Sequence, residues 1–263
     1  MRKTLVMAAA AMAWAPAGLA QEMPPSPAGT IPGAPAETAE PNVLPGDIGG
    51  SVALTSDYVF RGISQSDESA AIQGSLDWTH ESGAFAGVWG SSVDFDDGDQ
   101  ASAELDWYAG WAGEFRPVEI DLRAIYYSYP GADTARDYDY WELGATGTVT
   151  PLADLDLSLG YNYSPDFFNE SGSGHYLHGA AAYTVAGLIV PASVSVQAGR
   201  QWINDNGAFG TPDYWHWGVG AGITVEKVDL SVTYSDTDLS RAECGGGLDT
   251  CGERILVTAA TSF

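Results

Sequence analysis

The chain ends Ile255-Leu256-Val257-Thr258-Ala259-Ala260-Thr261-Ser262-Phe263, a strand with Ile255, Val257, Ala259 and Phe263 on one parity and an aromatic as its final residue. Closing strands of this kind belong to outer-membrane β-barrels, so one short segment constrains membrane, compartment and architecture together.

The same parity recurs upstream. From Ile48 onward the hydrophobic period is two, the spacing of a strand whose faces meet different solvents. Ala103, Leu105, Trp107, Ala109 and Trp111 alternate with Ser102, Glu104, Asp106, Tyr108 and Gly110. Helical spacing would scatter those charges around the axis. The pattern predicts twelve strands, at 48-61, 70-81, 84-95, 102-113, 117-128, 138-149, 154-164, 175-186, 192-202, 214-225, 228-236 and 253-263. An even count returns both ends of the barrel to the periplasmic side, and short links alternate with longer polar ones as such barrels require. Strands near 175-186, 192-202 and 214-225 have the least certain register, because Gly and Ala dilute the pattern or, at Arg200, a charge shares parity with Val194 and Val196. Either Arg200 reaches anionic head groups from the lipid face, or the register slips there.

Arg2 and Lys3 precede an apolar run from Leu5 to Ala15, and Gly18-Leu19-Ala20 offers small residues for cleavage. Residues 1-20 are therefore expected to be a signal peptide. The run falls short of the roughly 20 apolar residues of a membrane-spanning helix. Residues 21-46 are rich in Pro and Ala without hydrophobic period and read as a disordered periplasmic linker. The all-β antiparallel transmembrane barrel then occupies 47-263.

The chain carries 35 acidic and 10 basic residues, a formal charge of −25 that becomes about −27 once Arg2 and Lys3 are removed. Such a surface repels phosphates and excludes a nucleic-acid-binding role. Cys244 and Cys251 lie close together in a Gly-rich loop, and a disulfide is the simplest expectation in an oxidising compartment.

With the Trp/Leu parity facing lipid, the opposite face carries Asp57, Arg61, Gln73, Asp77, Glu104, Asp106, Glu119, Asp121, Arg123, Glu142, Asp156, Asn162 and Asp229. So many carboxylates demand water or ion pairs. One reading is a narrow wet channel whose acidic wall favours cations and passes small solutes by diffusion. The other is a closed structural or surface-interaction barrel, with Arg61 and Arg123 forming ladders with Asp57, Asp77 and Asp121. Tyr58, Phe60, Trp89, Phe95, Trp111, Trp141, Trp202, Trp215 and Trp217 cluster toward strand ends, as an interfacial girdle would. Asp94, Asp96, Asp97 and Asp99 could meet a divalent cation, but without an ordered ligand loop a solvated acidic loop is the simpler reading. His175 and His178 point to opposite faces of one strand, and nothing assembles a Ser-His-Asp set, so neither catalysis nor a cofactor or metal is expected. Expected partners are outer-membrane lipid and lipopolysaccharide, the barrel-assembly machinery through Phe263, and small solutes.

Leu54 to Asp67 (LTSDYVFRGISQSD), Ala71 to Trp78 (AIQGSLDW), His80 to Phe95 (HESGAFAGVWGSSVDF) and Tyr138 to Gly144 (YDYWELG) resemble the TorF family of porin-like proteins, first catalogued as a proteobacterial family of unknown function. The resemblance spans 48-263 and implies an outer-membrane barrel with a pore role, without established site residues. Within it, Arg61-Gly62-Ile63-Ser64-Gln65 follows the first strand. The loop either folds inward so that Arg61 and Gln65 line a constriction, or simply turns at Gly62 with Arg61 paired to Asp57; the turn reading is slightly favoured.

Overall fold

In the computed structural model the described residues are 45-263 apart from 97, 99, 100 and 134. The expected signal peptide, all of the linker but its last two residues, and Asp97 and Asp99 of the acidic loop lie outside the described residues.

Fourteen strands are present among the described residues. β1 (Asp47–Thr55) is followed by a small hairpin, β2 (Val59–Phe60) and β3 (Ile63–Ser64), and then by β4 (Ala71–Thr79), β5 (Ala84–Ser92) and β6 (Ala103–Phe115). The chain continues through β7 (Val118–Ser128), β8 (Tyr140–Leu152), β9 (Leu155–Ser164), β10 (Gly174–Val185) and β11 (Ala192–Ile203). β12 (Tyr214–Val225), β13 (Val228–Thr237) and β14 (Arg254–Ser262) complete it. β1 and β4 to β14 form a closed antiparallel barrel of twelve strands in which β1 pairs with both β14 and β4. The expected twelve strands are therefore present. The first is shorter than predicted, ending at Thr55 rather than 61.

Side-chain alternation explains the closure. Leu54, Leu76, Trp107, Leu143, Leu159, Val196, Val219, Val232 and Val257 are exposed on the outside, while their strand neighbours Thr55, Asp77, Asp106, Glu142, Ser195, Thr233 and Thr258 are buried within. A continuous apolar outer band has no aqueous explanation and fits a hydrocarbon surround. Among the described residues no helix is long and apolar enough to cross a membrane.

At the seam, Gly50 and Phe263 exchange both backbone hydrogen bonds, each at 3.0 Å. The Phe263 ring lies over Gly50, where an added Cβ would meet ring carbon at 2.9 Å. The absent side chain makes the notch for the ring.

Register is continuous where the sequence was most ambiguous. β10 pairs with β11 from Gly174↔Ile203 to Val185↔Ala192, and β11 with β12 from Ala192↔Ile223 to Gln201↔Tyr214. The register shift falls instead between Val149 and Leu152. Pro151 interrupts the strand there and has no N–H to give to a ladder.

Candidate functional site in the barrel interior

After Thr55 the chain leaves the wall and turns into the lumen. The Thr55 hydroxyl donates to the Asp57 carbonyl at 2.9 Å, and Asp57 becomes the anchor of the inturned segment. Its carboxylate accepts from Ser64 Oγ at 2.6 Å, Ser66 Oγ at 2.9 Å and Arg254 Nη1 at 2.9 Å. The β2–β3 hairpin pairs Val59 with Ser64 and Phe60 with Ile63 across Arg61-Gly62. Both turn residues have positive φ, 48° and 83°, as a two-residue hairpin loop of the primed type requires. A Cβ on Gly62 would strike His216 and Thr237, each at 2.6 Å, so the turn presses against the wall at β12 and β13.

This turn carries Arg61 across the barrel. Arg61 and Glu142, each 1% exposed, form an ion pair at 2.6 Å, and Arg61 Nη1 donates to Gln201 Oε1 at 2.7 Å. The guanidinium lies 4.1 Å from the Tyr176 ring centroid and 4.6 Å from that of Phe60, in range of cation–π attraction. Glu142 also accepts from Tyr127 Oη at 3.2 Å and Asn162 Nδ2 at 3.3 Å. The favoured pairing of Arg61 with Asp57 is thus corrected. Because β1 stops at Thr55, the two residues are not neighbours on one strand face; Asp57 serves Arg254 and the serines, and Arg61 serves β8 and β11. Gln65 donates from Nε2 to the Ile63 carbonyl and braces its own hairpin.

The remaining inward residues fall into three groups. Glu104 and Asp106 are buried side by side on β6, with Tyr58 Oη donating to Glu104 at 2.7 Å, and Asp106 Oδ1 lacking a partner. Asp77 accepts from Tyr108 Oη and from Ser75 Oγ, and Arg123 holds Asp121 through Nε and Nη2 at 2.7 and 2.6 Å. Gln73 is buried 3.4 Å from Ser91 Oγ. Toward the short turns, Glu119 is exposed, and Asp156 and Asp229 are half-buried, bonded to Thr150 and Thr224. Of the expected Arg–Asp ladder pairs, Arg123–Asp121 is present.

Around the hairpin the long loops close over an aromatic core. Phe95, Tyr129, Tyr138 and Phe168 pack ring on ring, with Tyr138 and Phe168 stacked at 4.3 Å, and Tyr58, Trp89, Tyr127, Tyr140, Phe167 and Phe209 extend the cluster inward. Four residues expected in a girdle, Tyr58, Phe60, Trp89 and Phe95, belong to this interior. Trp141, Trp215 and Trp217 do face outward. Alternation fails here because rings facing lipid and rings packed inside a barrel leave the same apolar signature.

The last long loop clamps the first. The expected disulfide is present, Cys244–Cys251 with Cα atoms 5.8 Å apart and both residues buried. Thr250 O, beside Cys251, accepts from Ser64 N at 2.8 Å, and Thr237 Oγ1 donates to Cys251 O at 2.7 Å. Hydrogen bonds from Ser240 hold the Glu243 carboxyl below the usual carboxylate range in the same loop. Sequence reading missed Gln201, Tyr176, His216 and Arg254; their inward parity was available, but not that a loop would meet them. His175 and His178 lie on opposite faces, the first bonded to Tyr161 Oη and the second stacked on Tyr176. Among the described residues no group of three His, Cys, Asp or Glu could hold a metal.

A twelve-stranded barrel, apolar outside and polar inside, with its first loop turned into the lumen, defines the class as an outer-membrane-type β-barrel. The chain belongs to a family described as a bacterial protein of unknown function (Gcw_chp), whose profile matches residues 38–263. No curated protein matches. Similar solved structures include the KdgM porin, 12% identical with a TM-score of 0.54, covering 82% of this chain and 98% of that one. A KdgM porin in complex with disordered oligogalacturonate is 11% identical, with the same TM-score of 0.54 and the same coverage, 82% and 98%. The NanC porin in a rhombohedral crystal form is 10% identical, TM-score 0.51, covering 82% and 99%. At these identities the likeness is one of fold.

Proposed function

We propose that the chain is a non-enzymatic channel of the Gram-negative outer membrane that passes small solutes by diffusion through a lumen narrowed by its first loop. One observation carries this reading: the inner face bears polar and charged side chains from Glu142 and Asn162 near the long loops to Asp156 and Asp229 at the short turns, and the element crossing it is a charged hairpin held by hydrogen bonds. Side chains chosen only to fill a barrel would be apolar; a polar inner face is how barrels accommodate water. The resemblance to the TorF family and the porin fold support the same class, and membrane lipid and the assembly machinery meeting Phe263 are the partners it implies.

We further propose a preference for cations. Glu119, Asp156 and Asp229 stand at the short-turn mouth with no arginine bonded to them, and Glu104, Asp106 and Glu142 lie deeper against one cation, Arg61. Carboxylates so placed raise the local concentration of cations. This charge is the reverse of what an oligogalacturonate, the anion named with one KdgM structure, would need. The second reading, a closed barrel working through its loops, draws on the burial of Arg61 and its neighbours. Single-channel recording of the refolded protein across a salt gradient decides between them: conductance with a cation-selective reversal potential is expected, and a silent membrane would leave the closed barrel. Arg61→Ala should raise conductance; an unchanged value would remove the constriction.

A further inference from the structure

Arg200 is a charge on the wrong face. It lies on β11 among Val194, Val196 and Ala198, all exposed on the outer surface, three residues from the strand's long-loop end. The register there is unbroken, so no slip turns it inward. Arg61, Arg116, Arg123, Arg241 and Arg254 each meet a carboxylate. Arg200 meets none, and its Nε is buried without a hydrogen-bond partner. Its guanidinium sits 5.2 Å from the Trp202 ring centroid and 5.4 Å from that of Trp215.

The surroundings form a socket. Trp202 pairs across strands with His175, and Arg200 with Leu177 and Trp215, which places His175 diagonally beside Arg200 on the outer face. Tyr161 Oη bonds His175 Nδ1 at 2.6 Å, fixing the ring while Nε2 has no partner. Two nitrogen-bearing side chains with unfilled hydrogen-bonding positions thus stand in an aromatic belt. Asp213 and Asp238, in the adjoining loops, are turned to backbone, accepting from Ile203 N and Trp215 N. An arginine is costly at the bilayer midplane and nearly free of cost at the interface. Height alone therefore makes Arg200 tolerable there, yet leaves its donors unused.

We propose that Arg200, with His175, binds the phosphate of an outer-leaflet glycolipid, the lipopolysaccharide of a Gram-negative surface, with Trp202 and Trp215 flanking the headgroup. The guanidinium fork matches a phosphate bidentately, and the indole rings suit the boundary between headgroup and acyl chain. A chain this acidic repels anions generally, so binding would be local to this socket. The inference rests on outer-membrane placement and is independent of conductance.

The test compares the purified protein in detergent with Arg200→Ala and Arg200→Gln, each first checked for the heat-modifiable migration of a folded barrel. Each is titrated with phosphorylated lipid A and with dephosphorylated lipid A, and complexes are counted by native mass spectrometry. Wild type should bind the phosphorylated form about tenfold more tightly than either variant does, a difference of about 1.4 kcal/mol, and the dephosphorylated form should bind all three alike. His175→Gln should lose less. Equal binding by wild type and the folded variants, or indifference to the lipid phosphates, overturns the proposal. Displacement of the lipid by millimolar inorganic phosphate would overturn it in favour of a free-anion site.

Discussion

In the half of the barrel nearest the long loops, Glu104, Asp106, Glu142, Asn162 and Gln201 are almost wholly buried; nearest the short turns, the inward Thr146, Ser158, Ala182 and Asp229 are only half-buried. The same strands build both regions. What differs is the inserted hairpin, which fills the first region with Phe60 and Arg61 and does not reach the second, where small inward residues such as Thr146, Ser158 and Ala182 stay only half-buried. Closure on that side is therefore supplied by the inserted hairpin and the long-loop rings packed around it rather than by the wall.

Several changes would break or sharpen that contrast. Excising residues 59–64 should have the largest effect, opening the outer half and raising single-channel conductance several-fold while the heat-modifiable migration persists. Glu142→Ala leaves the Arg61 guanidinium buried without its counter-charge and should cost about 3–5 kcal/mol in urea unfolding of the refolded barrel. The double replacement Arg61→Met with Glu142→Leu should cost far less, because no charge is then stranded. Replacing Cys244 and Cys251 by Ser frees the clamp on Ser64 and should cost about 2–3 kcal/mol in the chain-entropy view, with noisier current from a loosened first loop. The smallest change should follow Asp156→Asn with Asp229→Asn. The reversal potential should move toward zero with stability unchanged; a fixed potential would place any selectivity elsewhere.

The strands were legible because lipid imposes its own pattern. Leu105, Trp107 and Ala109 had to be apolar whatever the lumen did, so alternation located every barrel strand. The interior was legible only as a parity. Tyr58 and Phe60 continue the apolar rhythm of β1, and nothing in that rhythm distinguishes a strand running on into lipid from a hairpin diving among aromatic rings. The decisive pairs, Arg61 with Glu142 and Arg254 with Asp57, join residues 81 and 197 positions apart. Such partnerships depend on the path of a loop through space. Arg123 and Asp121, two apart on one strand face, are the exception that local spacing could reach.

The notch at Gly50 has a consequence for how errors in this molecule would show themselves. A chain missing β14 would leave β1 and β13 with unpaired edges, which recruit other strands indiscriminately. A bulky residue at Gly50 would spoil the same join from the opposite terminus. Completion of the cylinder is thereby tied to its first and last strands at once, and a barrel lacking either is left with open, adhesive edges.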